Sequence, residues 1–213
     1  MTVTDFLLTK AILLLVAFTA LPIHEAAHGW TAYRLGDTTA KDEGRLTLNP
    51  LRHLDLMGTV LLVVWGVGWA KPVPVNPARF RNPKWGMAIT ALAGPLSNLI
   101  LATVLLVVYK LLFLTGVVTG ALGYYLVLIL AVMIRTNIYL AVFNLLPVPP
   151  LDGSRILGVI LPAKQYFSIM RYERYIYLAM ILLVFTGALD GLLGTVYSWV
   201  FVLLDRMTRF IPV

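Results

Sequence analysis

His24-Glu25-Ala26-Ala27-His28 sets two imidazoles four residues apart with a carboxylate between them. On a helix, positions i and i+4 share one face, so both rings can ligate a single metal ion while Glu25, one step round, reaches a water bound to it. The chain has only three His and three Glu among its 213 residues. Three of those six fall within one five-residue window, which composition alone does not explain. Two imidazoles leave a zinc site incomplete, because catalytic zinc takes three protein ligands and keeps one exchangeable position. His53, Asp55 and Asp152 are the candidates for the third ligand.

The elements that must carry these residues are apolar. Hydrophobic residues make up 60% of the chain and charged residues 13%, and the mean hydropathy is +0.86. A soluble domain is about 25% charged, so this is the composition of a membrane protein, and soluble enzymes, disordered tails and nucleic-acid-binding modules are excluded. With no cysteine, disulfide frameworks, thiol nucleophiles and thiolate-ligated metals are excluded as well. Five stretches, about 6–33, 86–114, 122–146, 173–189 and 194–211, approach the roughly 20 apolar residues that a bilayer crossing needs. Residues 54–70 are apolar but short and are interrupted by Gly58, Gly66 and Gly68. They suit a re-entrant segment better than a full span. The expected fold is an all-α polytopic membrane protein with about five transmembrane helices plus a re-entrant segment carrying a small β-sheet. It forms one membrane-embedded domain over 1–213.

Charge gives the expected topology. Eight of the 17 Lys and Arg lie between Arg34 and Lys84, four between Arg155 and Arg174, and Arg206 and Arg209 close the chain, whereas 115–121 and 187–193 contain none. The positive-inside rule then places 34–85, 155–174 and the C-terminus in the cytoplasm and the N-terminus outside. Lys10 and Lys110 can snorkel from outer helix ends, and mid-span Arg135 is expected to pack against a helical neighbour. In this arrangement Asp152 reaches the same membrane depth as His28 from a different helix. It lies in the string Asn144-Leu145-Leu146-Pro147-Val148-Pro149-Pro150-Leu151-Asp152-Gly153. The prolines of that string interrupt any helix, and irregular backbone at membrane depth survives only against protein or a water-filled cavity. A third polar cluster, Ala93-Gly94-Pro95-Leu96-Ser97-Asn98, puts an amide in a helix where lipid would penalise it, so Asn98 is expected to face the bundle.

Together, the histidine motif in a membrane helix, the Asn144-to-Gly153 string and the intervening Gly94-Pro95-x-x-Asn98 resemble the site-2 protease family of intramembrane zinc metalloproteases. The matching residues cover about 6–33, 86–114 and 122–153, which correspond to that family's catalytic core. The resemblance implies one Zn2+ per chain held by His24, His28 and Asp152, with Glu25 as general base. It implies that Asn144 and Asn98 contact substrate or help stabilise the transition state. It also implies a transmembrane protein as substrate, cut in or near its membrane segment, with the enzyme resident in the cytoplasmic membrane. The lengths of 115–121 and of the stretch after 211 leave no room for the PDZ or CBS domains of larger relatives, so a minimal form is expected.

An unwound substrate needs an edge to pair with, because a helical peptide bond hides its carbonyl in an i to i−4 bond. Arg45-Leu46-Thr47-Leu48 alternates with strand period, and Val73-Pro74-Val75 reads as extended. The small sheet is therefore expected from 45–48 and 71–76 within a region of about 38–77, with Val73 and Val75 receiving the substrate. The accessory stretches 173–189 and 194–211 carry Tyr172, Tyr175, Tyr177, Tyr197 and Trp199 as interfacial anchors. A metal transporter would need ligands on several helices along a path, and a catalytically dead scaffold would have little use for Glu25. The enzyme reading accounts for more of these residues.

Overall fold

A computed structural model describes residues 3–65, 68–116 and 118–212. Gly66 lies outside the described residues. The helices run α1 (Val3–Arg34), α2 (Thr39–Asp42), α3 (Leu56–Trp65), α4 (Pro83–Leu114), α5 (Gly120–Asn144), α6 (Asp152–Ile160), α7 (Ala163–Met170), α8 (Glu173–Phe185) and α9 (Asp190–Met207). α4 is the central element and packs on α1, α5 and α6. Its start is specified locally: Pro83 occupies the first helical position and the Asn82 side chain accepts the Trp85 N–H. The α1 and α4 surfaces include the small buried residues Ala17, Ala20, Ala91 and Gly94, which let two membrane helices approach closely. The main apolar core lies between α4, α5 and α9, where Ala102 and Leu106 meet Ile134, Ile138, Val142, Leu193 and Leu204.

Three helical segments are long and apolar enough to cross a membrane: Lys10–Arg34, Pro83–Leu114 and Gly120–Asn144. The expectation of about five is corrected. α8 has 13 residues, about 20 Å of helix, which falls short of the ~30 Å hydrocarbon core. It meets α9 at a bend of 82°, so the pair adds at most one further crossing. The chain does turn between the two expected stretches, at Gly187 with φ +69°, but the two helices it joins are not two full spans.

That bend also corrects the expected position of the C-terminus. Leu192 and Leu193 near the start of α9 lie beside Leu145, Leu146 and Pro147 at the exit of α5. At the other end of α9, Asp205 Oδ1 pairs with Lys110 Nζ at 2.7 Å. α9 thus runs back toward the end of the bundle that holds 115–116, and Arg206 and Arg209 lie there, opposite 155–174. Grouping those arginines with 155–174 required α8 and α9 each to be a full crossing, and α8 alone is too short for one.

The expected β-sheet is also corrected. Among the described residues there is no β-strand, and the sole pairing of that kind is an antiparallel bridge between Leu54 and Ala70. Between these two residues the chain leaves and returns to one end. α3 is 10 residues, about 15 Å, and packs on α1; Lys10 Nζ donates to the Val64 carbonyl near its C-terminal end at 3.1 Å. Residues 45–48 and 71–76 do lie together, but side chains hold them. The Arg45 guanidinium donates to the carbonyls of Lys71 and Pro72, and His53 Nε2 donates to the Thr47 carbonyl at 2.7 Å. Pro72 and Pro74 remove alternate N–H donors. Of those that remain, Lys71 N–H donates to the His53 carbonyl, and Val73 and Asn76 donate to the carboxylates of Glu25 and Asp37. Three of the four N–H groups of 71–76 are thus committed elsewhere, only that of Val75 remains, and no ladder forms between these two segments.

Asp37 anchors this segment to the end of α1. It is fully buried, and its carboxylate accepts the Asn76 N–H, the Thr39 N–H and the Thr39 hydroxyl. Burial alone would push its carboxyl up, but these hydrogen bonds and the nearby Arg79 guanidinium hold it below the usual carboxylate range.

Candidate metal centre

His24 and His28 stand one turn apart on α1, both buried. Their Nε2 atoms are 3.0 Å apart, and the rings are nearly perpendicular at 86°. Asp152, the first residue of α6, brings Oδ2 to 3.1 Å from His24 Nε2 and 3.4 Å from His28 Nε2. One donor atom from each residue falls within 4.8 Å of the others. Asp152 gets there because the irregular 145–151 turn folds back tightly. A Cβ at Gly153 would stand 2.3 Å from the Leu145 carbonyl oxygen and 2.4 Å from that of Leu146, so only glycine fits. Asp152 Oδ2 and the two Nε2 atoms thus face one another as a set of potential donors to one cation.

The imidazoles rest on α4. A Cβ at Gly94 would come within 2.5 Å of His28 Nε2 and 2.6 Å of His24 Cε1, so the glycine gives the two rings their space. His28 Nδ1 lies 2.7 Å from the Thr90 carbonyl oxygen. A carbonyl only accepts, so Nδ1 carries the hydrogen and Nε2 keeps its lone pair for a ligand role. His24 Nδ1 lies 2.6 Å from Asn98 Oδ1. The two histidines are oriented from behind, as metal-ligating imidazoles are. Two neutral imidazole nitrogens and one carboxylate oxygen form a three-ligand donor set that suits zinc and leaves a position open.

Glu25 sits beside this cluster and accepts the Val73 N–H at Oε2, 2.8 Å away. Val73 is buried against α1, where a Cβ at Gly29 would meet its Cγ1 at 3.2 Å. In front of the cluster lies a cavity of about 900 Å³ that Glu25, Val73, Val75, Asn144 and Arg155 help to line. Its far wall includes Tyr177, Met180, Ile181 and Phe185 of α8, in a stretch that the sequence left open between interfacial anchors and a wall beside the core. Asn144 ends α5 and donates one amide N–H to the Leu140 carbonyl.

Asn98 is placed elsewhere. It is fully buried, behind His24, with Oδ1 at the ring and Nδ2 directed to Asn137 Oδ1 at 2.9 Å. The other candidates for the third ligand stand apart from the cluster. His53 is fully buried and ties down the 47–53 loop. Asp55 Oδ1 accepts the Gly58 N–H at the start of α3, as a helix N-cap does. Arg135 packs its guanidinium over the Tyr139 ring, 5.4 Å from its centroid. Asn137 was missed, although an amide inside a membrane-length apolar helix carries the same signal that singled out Asn98.

Membrane-length helices that converge a His, His, Asp donor set beside a glutamate define a membrane-embedded metallohydrolase. Comparison with known proteins narrows the class. The description "Peptidase family M50" matches residues 119–187. "Putative zinc metalloprotease YwhC" of Bacillus subtilis (strain 168) is 42% identical over 194 residues, covering 88% of this chain and 83% of that protein. A protein of the same description, Rip2 of Mycolicibacterium smegmatis (strain ATCC 700084 / mc(2)155), is 28% identical over 198 residues, covering 85% and 70%. No solved structure matches the chain. The chain belongs to peptidase family M50, the site-2 protease family of zinc metalloproteases.

Proposed function

We propose that the chain hydrolyses a peptide bond in or near the transmembrane segment of a membrane-protein substrate, with zinc held by His24, His28 and Asp152 and with Glu25 as general base. The observation that carries this reading is the convergence of those four residues on one cavity between membrane-length helices. When bound, zinc supplies Lewis acidity to the attacking water and to the scissile carbonyl. Glu25 takes the proton from that water and returns it to the leaving amine. The Val73 N–H holds the carboxylate in place while it does so. An amide has two N–H groups, so the bond from Asn144 to Leu140 leaves one to donate to the developing oxyanion. Val73 and Val75 form the wall along which an unwound stretch of substrate lies.

Val73→Pro removes the donor to Glu25 and leaves every metal-facing side chain in place. A hydrogen bond to a charged group contributes roughly 1.5–3 kcal/mol, so cleavage is expected to fall about 10- to 100-fold. Zinc content stays at the level of the unmodified chain. Equal turnover in the two proteins would remove Val73 from the mechanism.

With Arg206 and Arg209 moved to the opposite end, the Lys and Arg of 34–85 and 155–174 still outnumber those at the other face, which supports a cytoplasmic active-site end and an outer N-terminus. The test is reconstitution with zinc in proteoliposomes beside a single-span substrate, followed by mass mapping of the products. The chain has no cysteine, so Lys164→Cys and Thr119→Cys report the two faces by labelling with an impermeant maleimide. A cut within or beside the substrate's membrane span, with the two cysteines labelling from opposite sides, is the expected result. Cuts confined to a distant soluble loop, or same-side labelling, would overturn the corresponding part of the reading.

A further inference from the structure

Behind His24, away from the cavity, lies a chain of buried amides on two other helices. Asn98 Oδ1 is 2.6 Å from His24 Nδ1, Asn98 Nδ2 donates to Asn137 Oδ1 at 2.9 Å, and Asn137 Nδ2 donates to the Met133 carbonyl at 2.8 Å. Both asparagines are fully buried. An amide viewed alone has no preferred direction, since its oxygen and nitrogen are interchangeable in shape. Here the direction is fixed at the far end. The Met133 carbonyl can only accept, so Asn137 must present its NH2 there and its oxygen to Asn98. Asn98 must then present its NH2 to Asn137, with the Ala20 carbonyl a second and longer acceptor at 3.5 Å, and its oxygen to His24. His24 must in turn carry its hydrogen on Nδ1, which leaves the Nε2 lone pair facing Asp152 and His28.

The geometry points to Asn137 as a positioning residue of the metal centre: through Asn98, the backbone of α5 dictates which nitrogen of His24 is free to bind zinc. The inference rests on the reading of His24 as a zinc ligand. Asn137 touches neither the metal-facing atoms nor the cavity, and it acts by denying Asn98 the flipped orientation, through a 2.9 Å bond that is shorter than the 3.5 Å tie to the Ala20 carbonyl. Flipped, Asn98 would offer an N–H to Nδ1 and favour the hydrogen on Nε2, where the metal must bind. His28 needs no such chain, because a backbone carbonyl, that of Thr90, meets its Nδ1 directly.

The measurement is zinc affinity of the purified full chain in detergent, by competition with a chromophoric chelator. Loss of an outer partner of a metal-ligating histidine costs about 10- to 100-fold in affinity, and Asn137→Leu is expected to weaken binding within that range. Asn98→Asp supplies the discriminating background, because a carboxylate has no donor end and accepts from His24 whichever way it turns. In that background Asn137→Leu is expected to change affinity less than about twofold, the non-additivity that marks action through one neighbour. A general packing defect would cost the same in both backgrounds. If the unmodified chain binds no zinc, the function proposed above fails. If it binds zinc and Asn137→Leu binds equally well, or loses the same factor beside Asn98→Asp, the positioning role fails. Should Asn137→Leu not fold, side-chain NMR of the unmodified, zinc-loaded protein decides. Asn98 amide protons close to Asn137 and remote from the His24 ring are expected, and the reverse placement overturns the inference.

Discussion

Glu25→Gln is expected to hold zinc as tightly as the unmodified chain and to cleave a transmembrane substrate about 10²- to 10⁴-fold more slowly, the range that a lost general acid–base catalyst supplies. The expectation of intact zinc follows from the geometry. The three donor atoms that converge belong to His24, His28 and Asp152, while Glu25 is turned to the Val73 N–H. Glutamine matches glutamate in shape and retains an oxygen to accept that N–H, so the 71–76 segment keeps its tie to α1. What glutamine lacks is the ability to take a proton. Zinc content is read by atomic emission and cleavage by gel assay on the same preparation. A variant that lost zinc would place Glu25 among the ligands, and one that still cut at the original rate would remove it from the chemistry.

The site was more legible in the sequence than the fold around it, for a physical reason. His24, Glu25 and His28 are bound by helical periodicity, which is local, and a membrane makes each polar residue costly enough to stand out. Asp152 could be matched to them because α1 and α5 are full crossings whose ends share a depth. A break near Gly187 was legible, but not that α8 stops after 13 residues and meets α9 at 82°, since composition stays apolar on both sides of the turn. Counting α8 as a crossing grouped Arg206 and Arg209 with 155–174, whereas the Lys110–Asp205 pair and the packing of Leu204 on Leu106 put the end of α9 beside the far end of α4. The alternation of 45–48 and 71–76 identified two extended segments that do meet. It could not identify what would satisfy them, because Arg45, Glu25, His53 and Asp37 are distant in sequence and compete with strand pairing. Asn98 was correctly turned into the bundle but is committed to His24, a distinction that needs the position of α1 against α4.

Asp152→Ala is expected to lose zinc and cleavage together, in contrast to Glu25→Gln. Removing a ligand acts on the metal directly, so the loss of affinity should exceed the roughly 100-fold upper range for outer partners. Thermal unfolding offers a readout that does not depend on substrate. At a zinc concentration 100 times the dissociation constant of the unmodified chain, binding stabilises the folded protein by about 2.7 kcal/mol. A variant binding 100-fold more weakly gains only about 0.4 kcal/mol at the same concentration by the same relation. Asp152 also opens α6, where a carboxylate favours the helix N-terminus by about 0.3–1 kcal/mol, so Asp152→Ala should unfold somewhat earlier even without zinc. Asp152→Asn separates the two contributions: it preserves volume beside the tight turn at Gly153 but removes the charge that ligates. If both variants lose the zinc-dependent shift, the carboxylate is a ligand. If Asp152→Asn keeps the full shift, Asp152 serves the fold of α6, and the third position must be filled from elsewhere in the chain.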